Sequence, residues 1–182
     1  DWSSDVCSSD LCKEKLLKKA ECESFPWGKK ADKVDYGVMY ESRYKLLKIA
    51  FERFLRAEPD DFEAFCEKEA DWLSDYALFM ALKDANGGNA WFSWEKDLKM
   101  RKPEALAEAR STYAKDIRFY QMLQYLFFKQ WWELKAYVNE KGIEIIGDVP
   151  IYVAGDSADV WANPEEFYLD EDLNPIDVAG CP

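Results

Sequence analysis

The sequence predicts an α/β chain that is mostly helical over this segment. Three observations lead there. Apolar residues recur at helical spacing through most of 39–141, the period changes at Gly142, and a short β-branched run (Ile143, Ile145, Ile146) follows at once. A helix closed by glycine and followed by a buried apolar strand is the α/β step. A strand this apolar suits a parallel sheet covered on both faces.

The elements follow in chain order. Residues 12–36 are Lys-rich and then turn-like at Phe25-Pro26-Trp27-Gly28, which reads as a surface connection. From Met39 to Arg56, the positions Leu47, Phe51, Phe54 and Leu55 keep the spacing of one buried helix face, and Glu58-Pro59 ends the helix. A second helix is expected from near Asp60, with Phe62, Phe65, Cys66, Leu73, Tyr76, Ala77 and Met80 as its apolar stripe. Asn86-Gly87-Gly88 stops it. Trp91, Phe92 and Trp94 then fall in a connection. Pro103 suits the first position of a third helix whose pattern runs to Lys141. A straight helix of that length would span about 57 Å, so a break is expected near Ser111–Lys115. Its second half carries a wide stripe of Ile117, Tyr120, Leu123, Phe127, Trp131, Leu134 and Val138, as for a helix packed on a sheet or another helix.

The first eleven residues show no such order. DWSSDVCSSDL has neither a strand nor a helix period, and it lacks the basic start and apolar run of a signal peptide. A sequencing-library adapter, translated in frame, spells Asp1 to Asp10 and opens the codon of Leu11. Residues 1–11 are therefore read as adapter-derived, non-native and without core contacts. Residues 12–182 are read as part of one domain, with 12–141 mainly helical and 142–182 forming a strand and its following loop. The end at Gly180-Cys181-Pro182, inside a loop-like stretch, fits a piece of a longer protein.

Composition narrows the function. The chain carries 24 Lys and Arg against 36 Asp and Glu, a net charge of −12, or about −9 without Asp1, Asp5 and Asp10. Such a chain repels phosphate, so no nucleic-acid partner is expected. No apolar run approaches the roughly 20 residues of a membrane span, and a cytoplasmic protein is expected. Cysteines without CxxC spacing and the absence of histidine argue against a disulfide scaffold, a zinc site and any His-based nucleophilic dyad in this segment. Neither metal nor cofactor is expected. Aromatic residues make up 16% of the chain, enough for a large aromatic core or for a sugar-handling surface, since sugar rings stack their C–H faces on aromatic rings.

Asp148 is the most informative polar residue. It follows the apolar run directly, and polar groups at the C-terminal end of a parallel strand face the active site in barrels and doubly wound sheets. The alternative is a carboxylate that merely organises a Gly-Asp-Val-Pro turn. Asp156 and Asp159, in Gly155-Asp-Ser-Ala-Asp-Val-Trp161, fit the start of a short helical turn better than a glycosidase acid–nucleophile pair, whose members usually come from different strands. Trp161 and Phe167 are expected in the core rather than as sugar platforms.

One stretch carries more than pattern. IIGDVPIYVAGDSADVWANPEEFYLDEDLNPIDVAGCP closely resembles the 4-α-glucanotransferases of glycoside hydrolase family 77, and the resemblance extends upstream through QYLFFKQWWELKAY, WLSDYALFMALKDANGG and VDYGVMYESRYKLLKIAFERF. It implies a (β/α)8 barrel with large, mostly helical inserts. It also implies transfer of α-1,4-glucan segments between maltodextrin, starch or glycogen chains by a retaining double displacement. Both catalytic carboxylates of such an enzyme are expected beyond Pro182, and the early Ser-Pro-Tyr motif before residue 12. Asp148 matches the Asp of the family's Gly-Asp-x-Pro-Ile motif, at the subsite of the sugar under attack. Tyr40 matches a position where a tyrosine can meet glucan away from the catalytic centre; local packing of the ring is the alternative. Branching or debranching enzymes would be expected to show an Asn-His strand-end motif, and the chain has no histidine. A non-catalytic glucan-binding or helical scaffold protein is the rival from another class.

Overall fold

The computed structural model describes residues 10–28, 33–149 and 152–177. They divide into two compact units, Asp1–Phe62 and Glu63–Pro182. Residues 1–9, 29–32, 150–151 and 178–182 lie outside the described residues, and with them most of the expectation for 1–11.

The first unit is built from a helical turn over 10–13, α1 (Lys19–Ser24) and α2 (Tyr36–Phe54). The leucine spacing sets the turn. Leu11, Leu16 and Leu17 are all buried, and the Leu11 carbonyl accepts the backbone N–H groups of Leu16 (2.8 Å) and Leu17 (3.0 Å). Residues 12–36 are thus not a plain surface connection, because three leucines on a short stretch bury more favourably than they hydrate. Leu11, at the end of the segment expected to lack core contacts, makes them. Arg53 of α2 fastens this hairpin. Its guanidinium donates to the Leu16 carbonyl (3.0 Å) and grips the Glu21 carboxylate through two nitrogens at 2.7 and 2.5 Å. The Arg53 hydrogen bond, and then the Lys18 backbone N–H, hold the Glu21 carboxyl down to about 2.

α2 starts where Asp35 accepts the Val38 N–H at 3.2 Å, a standard N-cap. Leu46, Leu47, Ala50, Phe51 and Phe54 are buried, and the Phe54 ring meets Phe62 edge-on at 4.8 Å. Leu55, expected on the same face, is exposed because the helix has ended: it is the C-cap.

The second unit packs α4 (Ala70–Ala85) along α7 (Ala114–Glu140), with α3 (Asp61–Lys68) leading in from the first. The single helix expected from near Asp60 to Ala85 is divided at Glu69. There the backbone leaves helical geometry (φ −98°, ψ 13°), and the carboxylate accepts the Trp72 indole N–H at 2.9 Å. α4 buries Leu73, Ala77, Leu78, Phe79, Ala81 and Leu82. From α7, Ile117, Phe119, Tyr120, Met122, Tyr125 and Leu126 are buried. The Tyr120 hydroxyl donates to Asp84 at 2.7 Å, so its buried oxygen keeps a partner. α5 (Lys96–Lys99) and α6 (Pro103–Thr112) fill the connection, and the break expected near Ser111–Lys115 falls at Tyr113.

Two expectations change here. Buried positions on α7 stop at Leu126; beyond it Phe127, Trp132, Leu134 and Tyr137 are exposed. The buried strand expected over 143–147 is absent: residues 143–149 are irregular and exposed, with Ile146 at 92%. A strand's backbone groups are satisfied only by a neighbouring strand. Among the described residues the only β pairing is an isolated antiparallel bridge between Leu169 and Pro175.

Candidate functional site

Asp148 lies in the exposed stretch 143–149, and both sides of that stretch are anchored. Upstream, α7 closes with a 6→1 bond from the Ile143 N–H to the Val138 carbonyl (3.1 Å) and a 5→2 bond from Gly142 to Asn139 (2.9 Å). This closure requires the left-handed backbone that Gly142 takes at φ 73°. A groove of about 410 Å³ opens at this end, lined by Lys135, Asn139, Gly142, Ile143, Glu144 and Ile145.

Downstream, residues 155–161 are held by the aromatic core of the second unit. Trp91, fully buried, donates its indole N–H to the Gly155 carbonyl (2.9 Å) and its backbone N–H to Asp156 (3.3 Å). Lys83 of α4 forms an ion pair with the same Asp156 carboxylate. Ser157 then caps α8 (Ala158–Ala162), with Asp159 in its first turn. Trp161, 1% exposed, packs against Phe79 and Trp94 and donates to the Leu98 carbonyl at 3.1 Å. The Arg101 guanidinium stacks over its ring at 4.3 Å while bonding Asp75 at 2.7 Å. Trp161 is therefore core, as expected, and Phe167 is half-buried.

Asp148 is exposed and makes no hydrogen bond to a described residue. Glu144 is the other acid of 143–149, and it too is exposed. One carboxylate can bind and orient a sugar, but a double displacement needs two, about 5–5.5 Å apart. Among the described residues no group of three or more Cys, Asp or Glu is placed to hold a metal ion. Further along, Asp170 closes a turn. Its carboxyl is lowered by the backbone N–H of Asn174, then by that residue's side-chain amide and the Asp172 N–H.

Tyr40 sits in the first unit, on the second turn of α2. It is 56% exposed, and its ring lies 4.5 Å from that of Tyr44. The local-packing alternative is met in part, through Tyr44, while the residue as a whole stays exposed.

Sequence reasoning did not find the clamp of Lys83, Trp91 and Asp156. The density of Trp91, Phe92 and Trp94 was its one visible signal, since three large aromatics in a short connection must be buried against something.

A family model for 4-alpha-glucanotransferase, glycoside hydrolase family 77, matches residues 3–182. The chain belongs to that family. It is similar to the 4-alpha-glucanotransferase of Thermus thermophilus, with 49% identity over 90% of this chain and 33% of that protein. The Clostridium butyricum 4-alpha-glucanotransferase is 43% identical over 95% of this chain and 36% of its own length. Among solved structures, the amylomaltase of Streptococcus agalactiae in complex with acarbose superposes with a TM-score of 0.90 at 40% identity, over 96% of this chain and 36% of that one. The chain thus spans about a third of the length of the relatives it matches. It shares the backbone path of an amylomaltase over nearly all of its length, and the mostly helical architecture is that of the family's corresponding segment.

Proposed function

We propose that the whole protein is a 4-α-glucanotransferase that moves α-1,4-glucan segments from one maltodextrin or starch chain to another by a retaining double displacement. The carrying observation is the family match over residues 3–182 together with 49% identity to a 4-alpha-glucanotransferase. The acarbose bound to the Streptococcus agalactiae amylomaltase supports glucan-like ligands for this protein too.

Within this reading, 142–149 becomes a strand of a (β/α)8 barrel when its neighbours are present. Neighbouring strands would pair its backbone and cover Ile143, Ile145 and Ile146, which are exposed among the described residues. Asp148 then lines the subsite of the reacting sugar, and Tyr40 offers a stacking surface for glucan away from it. The nucleophile and the acid/base are assigned to residues beyond Pro182, and a cytoplasmic setting is proposed with them. No helix of the described residues is long and apolar enough to cross a membrane.

The test is disproportionation of maltotriose by the product of the longer gene. Glucose and maltodextrins longer than the substrate are expected together. Hydrolysis to glucose and maltose without longer products, or binding without turnover, overturns the proposal.

A further inference from the structure

Two sulfurs in the first unit stand outside everything above. Cys12, on the helical turn over 10–13, and Cys22, on α1, bring their Sγ atoms to 4.0 Å. Neither is in a disulfide. The backbone between them is folded back by the Leu11 carbonyl's bonds to Leu16 and Leu17. Arg53 holds both Leu16 and Glu21, so the turn of the hairpin and the arm that carries Cys22 are held from α2. Trp27 adds a further tie, its indole N–H donating to the Cys22 carbonyl at 2.7 Å. The two thiols are therefore neighbours by construction of the hairpin, and side-chain rotation has only about 2 Å to close to reach a bond near 2.05 Å. Burial, and then the adjacent Cys12 thiol, push the Cys22 thiol up.

We propose that Cys12 and Cys22 form a vicinal thiol site that a small-molecule disulfide of the glutathione type converts to an intramolecular disulfide. One cysteine, as thiolate, attacks a sulfur of the oxidant; the oxidant's S–S bond breaks and one small thiol leaves. The second cysteine then attacks the protein sulfur of this mixed disulfide and expels the second small thiol. Two S–H protons end on the two leaving thiols, and two electrons pass from the cysteines to the oxidant. The second step is intramolecular, which favours it over a diffusing thiol by about 10²-fold or more. In a reducing compartment the site rests open; under disulfide stress it closes and locks 12–22 into one covalent loop.

The experiment oxidises the folded 182-residue chain with glutathione disulfide, alkylates the remaining thiols and maps the peptides by mass. The expected product joins the peptides of Cys12 and Cys22, lighter by two hydrogen atoms, with Cys66 alkylated. In Cys12→Ser and Cys22→Ser, the remaining cysteine should hold a lasting glutathione adduct, because the resolving thiol is gone. Cys66→Ser should form the link as the parent chain does. Oxidation in denaturant should scatter the pairings among Cys7, Cys12, Cys22, Cys66 and Cys181. Separate adducts or separate alkylation on Cys12 and Cys22 in the folded chain overturn the proposal. So does a dominant pairing of either with another cysteine.

Discussion

Asp148 is an exposed acid and Glu21 a half-buried one, and their surroundings set opposite expectations for them. Glu21 is gripped by Arg53, which holds its carboxyl near 2, below the ordinary carboxylate value. A carboxyl whose folded value is depressed stabilises the fold above its unfolded value and loses that contribution as pH falls towards the folded one. Melting of the parent chain should therefore weaken between about pH 4.5 and 2 more than melting of Glu21→Gln; equal slopes for both would remove Glu21 from the account. Asp148 has no described partner, so Asp148→Asn should shift stability by less than about 0.5 kcal/mol. In the longer gene product the same change should lower kcat. It removes a charge-assisted bond worth roughly 1.5–3 kcal/mol, or about 10–150-fold if that bond strengthens in the transition state. Measuring kcat and Tm on one preparation separates binding of sugar from support of a turn. An unchanged kcat removes Asp148 from the site.

At the level of elements, the sequence was most readable where one chain segment satisfies its own backbone. Helix α2, the Tyr113 break and the Gly87-Gly88 stop all follow from local signals: the spacing of its apolar residues, a length limit and glycines at φ 65° and 80°. The expected strand was not realised for the complementary reason. Its apolar run states that the segment is meant to be buried, but pairing partners are a property of other segments. The leucines at 11, 16 and 17 were missed because charged neighbours mask a short apolar set. Of the candidate site, Asp148 was legible from its place after the apolar run and from its motif. The clamp at Gly155 and Asp156 was not, because it joins residues more than sixty positions apart in the chain. Two element-level changes probe these anchors. Gly142→Ala meets no atom within 4 Å, so its cost is backbone strain alone, about 1–2 kcal/mol in a denaturant titration. Trp91→Phe removes the indole hydrogen bond to the carbonyl of exposed Gly155 and should cost about 0.5–1.5 kcal/mol for that bond, with loosening of 152–157 visible by proteolysis.

For the molecule as a whole, the distribution of apolar surface decides behaviour. Phe127, Trp132, Leu134 and Tyr137 on α7, with Ile143, Ile146 and Val149 after it, form an exposed apolar run along consecutive parts of the chain. Surfaces of this kind associate. The 182-residue chain should therefore bind a hydrophobic dye and scatter light increasingly with concentration. A longer product that covers this surface should be monodisperse. A soluble, dye-silent monomer of the short chain would contradict the exposure seen here.

Helix α7 has one further consequence. Its 27 residues extend about 40 Å, yet every buried position lies between Ile117 and Leu126. It is a beam clamped at one end only. Backbone amides of a clamped half open only with the core, whereas those of a free half open by local fraying. Deuterium uptake should therefore split one continuous helix, with amides of 117–126 exchanging about tenfold or more slowly than those of 132–140. The same measurement on the longer gene product should find the two halves equally slow, as the free half of the beam gains its second support.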